Sequence, residues 1–251
     1  MLGFERLRRP IRRPQGTLLL KKIWLLAALV AGIAICANSA ASAQTEKKWT
    51  LDGAFAMMDR GAKDFRSLTA DIENVKYTAV VKDTSTETGK IYVRHDQKMR
   101  IDITKPEPRT ILRTGDSLFL YNPKLNRVEE YDLGKNRALV DQYIRLGFGT
   151  KSEDLKKSYE VTLSGEEELD GKKTIVLELA PRSDSVRAQI TKIQMWIDTS
   201  SWLPVQQKFF ETGSGDYILF HYTDMMKNLK VADSRFKQDW PKNASHEKPH
   251  A

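Results

Sequence analysis

The fold class is decided by residues 89–106, which read GKIYVRHDQKMRIDITKP. In the second half of this stretch, the apolar residues Met99, Ile101 and Ile103 alternate with polar residues. A period of two places successive side chains on opposite faces of a β-strand. The pattern therefore predicts a strand with one apolar face and one polar face.

Working outward, the same pattern extends into a sheet. Long strands are predicted over 67–82 and 89–103, joined by a polar turn from Asp83 to Thr88. Turn residues such as Asp170 and Gly171 separate the later apolar runs, and such short connections favour antiparallel pairing. The further predicted strands cover residues 117–121, 127–131, 159–164, 173–180, 190–198, 203–211 and 217–224.

Two helices accompany these strands. Thr50 is a suitable N-cap, and Leu51, Phe55 and Met58 follow at helical spacing, which predicts an amphipathic helix. A second, short helix is predicted over 136–149, where apolar residues share one helical face before two glycines. It interrupts the β pattern and can lie across the sheet.

Several strands are apolar on both faces. Met195 is followed by Trp196, and Phe209 by Phe210. A sheet with one solvated face does not show this pattern. The small predicted helix content favours a sheet that curls around an under-filled apolar interior. An ordinary packed β-sandwich fits the pattern nearly as well.

The first 43 residues have the order of a secretory signal peptide. Basic residues precede an uncharged apolar run at 23–37, and Ala-Ser-Ala at 41–43 predicts cleavage before Gln44. Cys36 follows an isoleucine rather than the small residue of a lipoprotein acylation site, so we assign it to the discarded segment. The remaining chain has no cysteine and depends on its core rather than on disulfides.

The high net charge belongs mainly to this leader. The chain has a formal charge of +8, but removal of residues 1–43 leaves 34 basic and 32 acidic residues. The charge therefore gives no support to nucleic-acid binding. We predict a single domain over 44–241 and a flexible polar tail over 242–251.

The order of motifs resembles that of LolA-type lipoprotein carriers. The stretch at 89–106 resembles their G-x-hydrophobic-aromatic-V-[KR]-R-P hairpin, and TGDSLFLYNP at 114–123 resembles their D-G-x-x-L-W-x-Y-N-P strand. The likeness continues through the predicted helix near Asn136, the hairpins at 159–224 and the aromatic, proline-containing close at 233–241. It covers nearly the whole chain after the leader.

The resemblance implies an α+β, mainly antiparallel fold of the LolA/LolB type. This fold is an incomplete, half-open β-barrel with short helices as a lid over an apolar cavity. The implied function is a soluble, monomeric periplasmic carrier that shelters the acyl chains of lipoproteins, or a similar amphiphile, and transfers them toward the outer membrane. The implied partners are the lipoprotein, an inner-membrane releasing complex and an outer-membrane acceptor.

The candidate ligand contacts follow from the predicted faces and from this resemblance. Family members have an arginine followed by proline at the end of the first hairpin strand, where it holds the lid. His95 and Asp96 occupy these positions here, so His95 is either a weaker or pH-sensitive latch or simply a residue at the end of the strand. Arg94 is expected on the opposite face. The predicted ligand-binding residues are Ile91, Val93, His95, Met99, Phe119, Tyr121, Met195 and Phe209.

Catalytic and cofactor motifs are weak. The sequence from His246 to His250 matches H-E-x-x-H, but Pro249 breaks the helix that would bring both imidazoles to zinc. The chain has no G-x-S-x-G motif or glycine-rich phosphate loop. We therefore predict no enzyme activity, no metal and no cofactor. The alternative function is a periplasmic sensory or regulatory module that binds lipid or lipoprotein on the same fold.

Overall fold

The computed structural model describes residues 48–134 and 146–249, which belong to a compact unit spanning Lys48–Ala251. The predicted signal peptide lies outside the described residues, as do most of the helix predicted over 136–149 and the last two residues of the tail.

The described residues form one twelve-stranded sheet that is not closed. The strand order is β12-β6-β5-β4-β3-β2-β1-β11-β10-β9-β8-β7, and all neighbouring pairs are antiparallel except β12 with β6. The strands are β1 (Ser67–Thr78), β2 (Asp83–Arg94), β3 (Lys98–Lys105), β4 (Arg109–Thr114), β5 (Ser117–Asn122), β6 (Arg127–Asp132), β7 (Tyr159–Leu169), β8 (Lys172–Pro181), β9 (Ile190–Asp198), β10 (Pro204–Glu211), β11 (Tyr217–Lys227) and β12 (Ser245–Glu247).

The described helices are short. They are α1 (Leu51–Lys63), α2 (Ser152–Ser158), α3 (Asp184–Arg187) and a 3-10 turn (Asp233–Phe236). The N-cap prediction for α1 is confirmed, because the Gly53 N–H donates to Thr50 Oγ1 over 3.1 Å. Ala54, Phe55 and Met58 form the buried stripe of this helix.

The first hairpin turns earlier than predicted. The turn is at Ala79–Lys82, and the polar stretch assigned to the turn forms the start of β2, with Asp83 paired to Thr78 and Thr88 to Glu73. The sequence-based turn position was wrong because strand pairing is made by backbone groups, so exposed polar residues can continue a strand.

Strand β4 was not predicted. Arg109 and Arg113 point to the same side as Ile111, which hides the apolar alternation in the sequence. The guanidinium of Arg109 pairs with Glu87, and that of the fully buried Arg113 donates to the carbonyl of Gln97. A buried cation such as the Arg113 guanidinium is tolerated only with such a partner.

The buried core on the inner face, the face that α1 covers, consists of two neighbouring clusters. The first joins α1 to β8–β10, with Met195 fully buried at its centre. The second joins β1–β3 and β11 to Phe65 and Phe148. The loop at 146–150 enters between them, and this close approach requires glycine: a Cβ on Gly149, which has a φ of +70°, would lie 2.7 Å from the Phe65 ring.

The outer face of β4–β6 is covered by the C-terminal segment. Phe236, Trp240 and Ala244 pack against Phe119 and its neighbours on this face. Chain residues 242–251 were expected to form a flexible tail, but Ser245–Glu247 pairs with β6 in the structure. The segment is ordered because Ala244, directly before this strand, is buried and anchors it to the sheet.

Candidate ligand-binding cavity

An apolar cavity of about 330 Å³ lies on the inner face. Its volume is at the lower end of the range for small-molecule pockets, which is about 300–1,000 Å³. Most of its wall is aliphatic or aromatic, and it is contributed by strands β1, β2, β3, β9, β10 and β11. The lining residues are Ile72, Ile91, Met99, Ile101, Gln189, Ile190, Gln207, Phe209, Ile218, Phe220 and Tyr222.

Strand register brings this wall together. Ile91 lies opposite Ile101 across β2 and β3, and Phe209 lies opposite Ile218 across β10 and β11. The Phe209 and Phe220 rings meet edge to face, with centroids 5.8 Å apart. Directly paired residues of neighbouring strands share a face, so these side chains line one continuous surface.

The buried polar side chains of the wall, Gln207 and Tyr222, have hydrogen-bond partners within the protein. The buried Tyr222 hydroxyl donates to Gln207 Oε1 over 2.8 Å, and Gln207 Nε2 donates to the carbonyl of Leu146 over 2.8 Å. Burial raises the pKa of Tyr222, which keeps the hydroxyl protonated and able to donate. The cavity can therefore accept an apolar ligand without a polar partner from that ligand.

The cavity is closed at one end and open at the other. At the closed end, Phe148 is fully buried and meets the Tyr222 ring edge to face at 5.2 Å. At the other end, Gln189 is exposed and Ile190 and Ile218 are half-buried. We call this open end, defined by Gln189, Ile190 and Ile218, the rim.

The predicted ligand residues fall into separate places. Ile91, Met99 and Phe209 line the cavity together. Val93 and Met195 are fully buried in the two adjoining core clusters and do not line it.

Phe119 and Tyr121 lie on the outer face, where their rings contact Trp240 at centroid distances of 5.6 and 5.7 Å. The inner-face positions of that strand are Leu118 and Leu120, which pair with Arg113 and Ile111. A shift of one residue exchanges the two faces of a strand, and the prediction for β5 fell on the outer set.

His95 is exposed at the turn between β2 and β3, away from the cavity. Its backbone N–H donates to the Arg66 carbonyl over 2.9 Å, and its Nδ1 lies 3.2 Å from the same oxygen. It therefore contacts the segment that follows α1.

Arg94 points to the outer face as expected and binds the carboxylates of Asp96 and Asp233, each at 2.6 Å. Its hydrogen bond lowers the pKa of Asp96 to about 2. This arginine therefore fastens the C-terminal segment to the sheet.

Sequence reasoning missed most of the wall. Ile101 belongs to the alternation that includes Met99 and could have been found from that pattern. Ile72 and Tyr222 lie opposite each other only because β1 pairs with β11. These two strands are far apart in the sequence, so no local pattern could reveal the contact.

Other site types are limited in the part of the chain that the structure describes. Within residues 48–134 and 146–249, no three histidine, cysteine or carboxylate side chains are placed to hold a metal ion. In the same ranges, the helices are too short or too polar to cross a bilayer.

Known structures resemble the fold at low sequence identity. An uncharacterized conserved protein of Thermus thermophilus matches with a TM-score of 0.52 and 12% identity, over 77% of this chain and 97% of that one. A LolA superfamily protein of Nitrosomonas europaea matches with a TM-score of 0.38 and 16% identity, over 74% and 98% of the two chains. The open, mostly antiparallel sheet with few short helices confirms the predicted α+β, mainly antiparallel fold class.

The family is also defined by sequence. A family model described as an uncharacterized protein matches residues 95–238, which is more than half of the chain, and the chain belongs to this family. An uncharacterized protein of Methanocaldococcus jannaschii is 22% identical over 177 residues, which are 70% of this chain and 46% of that protein. The chain thus spans about half the length of this curated relative.

Proposed function

We propose that the protein is a non-catalytic periplasmic carrier of lipoprotein acyl chains or of a similar amphiphile. The chain would enter the cavity on the inner face and would later be transferred toward the outer membrane. The observation that supports this proposal is the apolar wall of the cavity, whose buried polar side chains, Gln207 and Tyr222, already have partners within the protein.

The energetics favour an acyl chain as ligand. Each methylene moved out of water contributes about 0.8 kcal/mol, so burial of roughly eight methylenes would contribute about 6 kcal/mol before the entropic cost of binding. Among the described residues, those that line the wall carry no charge, so a headgroup or peptide would remain at the rim. The residues proposed to contact the chain are Ile91, Met99 and Phe209, with Val93 and Met195 supporting them from the core.

The ligand class is tested by native mass spectrometry of the protein purified from its own host. A copurified triacylated peptide is the expected result. A reconstituted transfer assay then separates a carrier from a sensory module, because only a carrier must release lipoprotein from inner-membrane vesicles to an acceptor. The proposal would be contradicted if no acyl ligand copurified with the protein and none bound to it when added.

A variant at the rim tests the site itself. Ile218→Glu places a carboxylate among apolar side chains and should weaken binding of a fluorescent fatty-acid probe at least tenfold, which corresponds to about 1.4 kcal/mol. Leu125→Glu is the matched control, because Leu125 is exposed on the turn between β5 and β6. Equal affinity in both variants would place the ligand elsewhere.

A further inference from the structure

The turn between β1 and β2 exposes two adjacent valines. Val80 is 86% exposed and Val81 is 67% exposed. The turn closes with the Lys82 N–H donating to the Ala79 carbonyl over 3.2 Å, and Lys82 has a positive φ of 51°. Such turns ordinarily use glycine, asparagine, aspartate or proline, and valine is normally buried. Neither turn geometry nor core packing accounts for two valines here, and departures of this kind are expected at functional positions.

The valines project from an ordered support. The Ala79 N–H donates to Asp216 Oδ1 over 2.7 Å, which ties this turn to the turn between β10 and β11. Beneath it, the Tyr77 and Tyr217 rings stack with centroids 5.0 Å apart. These contacts hold the apolar tip in a defined position at one end of the sheet.

Aromatic and cationic side chains surround the base of the tip. Lys208 Nζ lies 3.7 Å from the centroid of the Tyr217 ring and 4.9 Å from that of Phe210. Lys192 Nζ lies 5.1 Å from the Phe210 centroid and forms an ion pair with Glu178 Oε2 at 2.9 Å. Tyrosine rings and lysine side chains with apolar stems are typical of the interface between water and lipid.

The tip lies at the same end of the sheet as the cavity rim. Ile218 pairs with Lys76, and Val80 is four residues beyond Lys76, which is about 13 Å at ~3.3 Å per residue. The turn between β10 and β11 connects the two features, because the Thr212 N–H donates to the Gln189 carbonyl at the rim over 2.9 Å. A surface that meets the valines therefore also approaches the opening.

We propose that this tip, Ala79–Lys82, docks the protein on a phospholipid bilayer. Val80 and Val81 enter the boundary of the acyl chains, while the ammonium groups of Lys82 and Lys208 lie at the level of the lipid phosphates. Two side chains that project beyond the sheet need a partner that can deform around them, and a bilayer does so. The docking proposal depends only on the tip. The further idea that docking lets an acyl chain pass between bilayer and cavity rests on the proposed function.

Flotation with vesicles tests docking directly. Residues 44–251 are used, because they contain the compact unit with its buried clusters on both faces of the sheet and omit the apolar run at 23–37. Vesicles are of phosphatidylcholine alone or mixed with phosphatidylglycerol. The double variant Val80→Asn with Val81→Asn should partition at least tenfold more weakly onto both, whereas Leu125→Asn, a change at an exposed apolar residue of another turn, should partition like the parent. The proposal is overturned if the parent does not float, if the double variant floats equally well, or if Leu125→Asn loses as much.

A second measurement reports where the tip lies. Cys36 is the sole cysteine of the chain, so residues 44–251 carry none and accept a single environment-sensitive label. The label on Val80→Cys should shift to shorter emission wavelength on addition of vesicles, and that on Leu125→Cys should not. Equal shifts at both positions, or none at position 80, count against docking through the tip.

Binding of the fatty-acid probe without vesicles separates this inference from the proposed function. The double valine variant should retain the probe affinity of the parent, because neither valine lines the cavity. Probe binding without vesicle docking refutes the present inference alone. Docking without probe binding upholds the tip and refutes the proposed cavity function.

Discussion

Replacement of Gln207 by leucine tests the buried hydrogen-bond relay that joins the cavity wall to the loop at 146–150. Gln207 is 2% exposed and accepts from Tyr222 while donating to Leu146. Leucine has a similar size but cannot replace either contact, so the Tyr222 hydroxyl and the Leu146 carbonyl both lose their partner. A buried polar group without a partner costs about 1–3 kcal/mol, so Gln207→Leu should lower the free energy of unfolding by about 2–6 kcal/mol.

A second variant, Tyr222→Phe, tests whether the two side chains act as a pair. Tyr222→Phe alone leaves Gln207 Oε1 without its donor and should cost about 1–3 kcal/mol. Added to Gln207→Leu, the same change removes an orphaned hydroxyl, so the double variant should be more stable than Gln207→Leu alone by about 1–3 kcal/mol.

Urea denaturation of residues 44–251 measures these differences at the transition midpoint. The reasoning would be refuted if the losses from the two single changes simply added in the double variant. A result of that kind would mean that the two side chains contribute independently to stability.

Two further predictions concern the loop and the C-terminal segment. Gly149→Ala should destabilise the fold by more than ~1 kcal/mol in urea denaturation, because its φ is positive and the new Cβ would clash with the Phe65 ring. Gly171→Ala is the control: its φ is also positive, but the new Cβ would meet no neighbouring atom within 4 Å, so only the backbone conformation costs stability. For Asp96, the folded pKa of about 2 is below its ordinary value, so its contribution to stability is present above pH ~4 and is lost as the pH falls toward 2. Asp96→Asn should therefore reduce the acid sensitivity of unfolding in this window, and an unchanged pH profile would mean that Arg94 does not favour the ionised form.

Local sequence patterns were enough to predict those strands and helices whose own residues show a clear periodicity or cap. The period-two alternation predicted β9 with the bounds Ile190–Asp198 that the structure shows, and Thr50 marked the start of α1. The first turn was misplaced, because Ala-Val-Val-Lys at 79–82 lacks ordinary turn chemistry while the polar residues after it look like a turn. That departure is also what directs attention to the exposed valines.

The site was only partly accessible from sequence. Ile91, Met99 and Phe209, each from a clear apolar strand, line the cavity, whereas Phe119 lies on the opposite face of the sheet. The role of Gln207 carried no sequence signal, since glutamine in a strand is usually exposed.

The sequence by itself determined the class of fold, because alternation, caps and turn residues act over a few positions and were legible one segment at a time. Only the tertiary structure decided that Ile72 lies opposite Tyr222, that Phe119 lies beneath Trp240 and that the cavity opens at the end that bears Val80. The physical reason is that strand pairing and register depend on the packing of distant segments, and that a register shift of one residue moves every side chain of a strand to the other face.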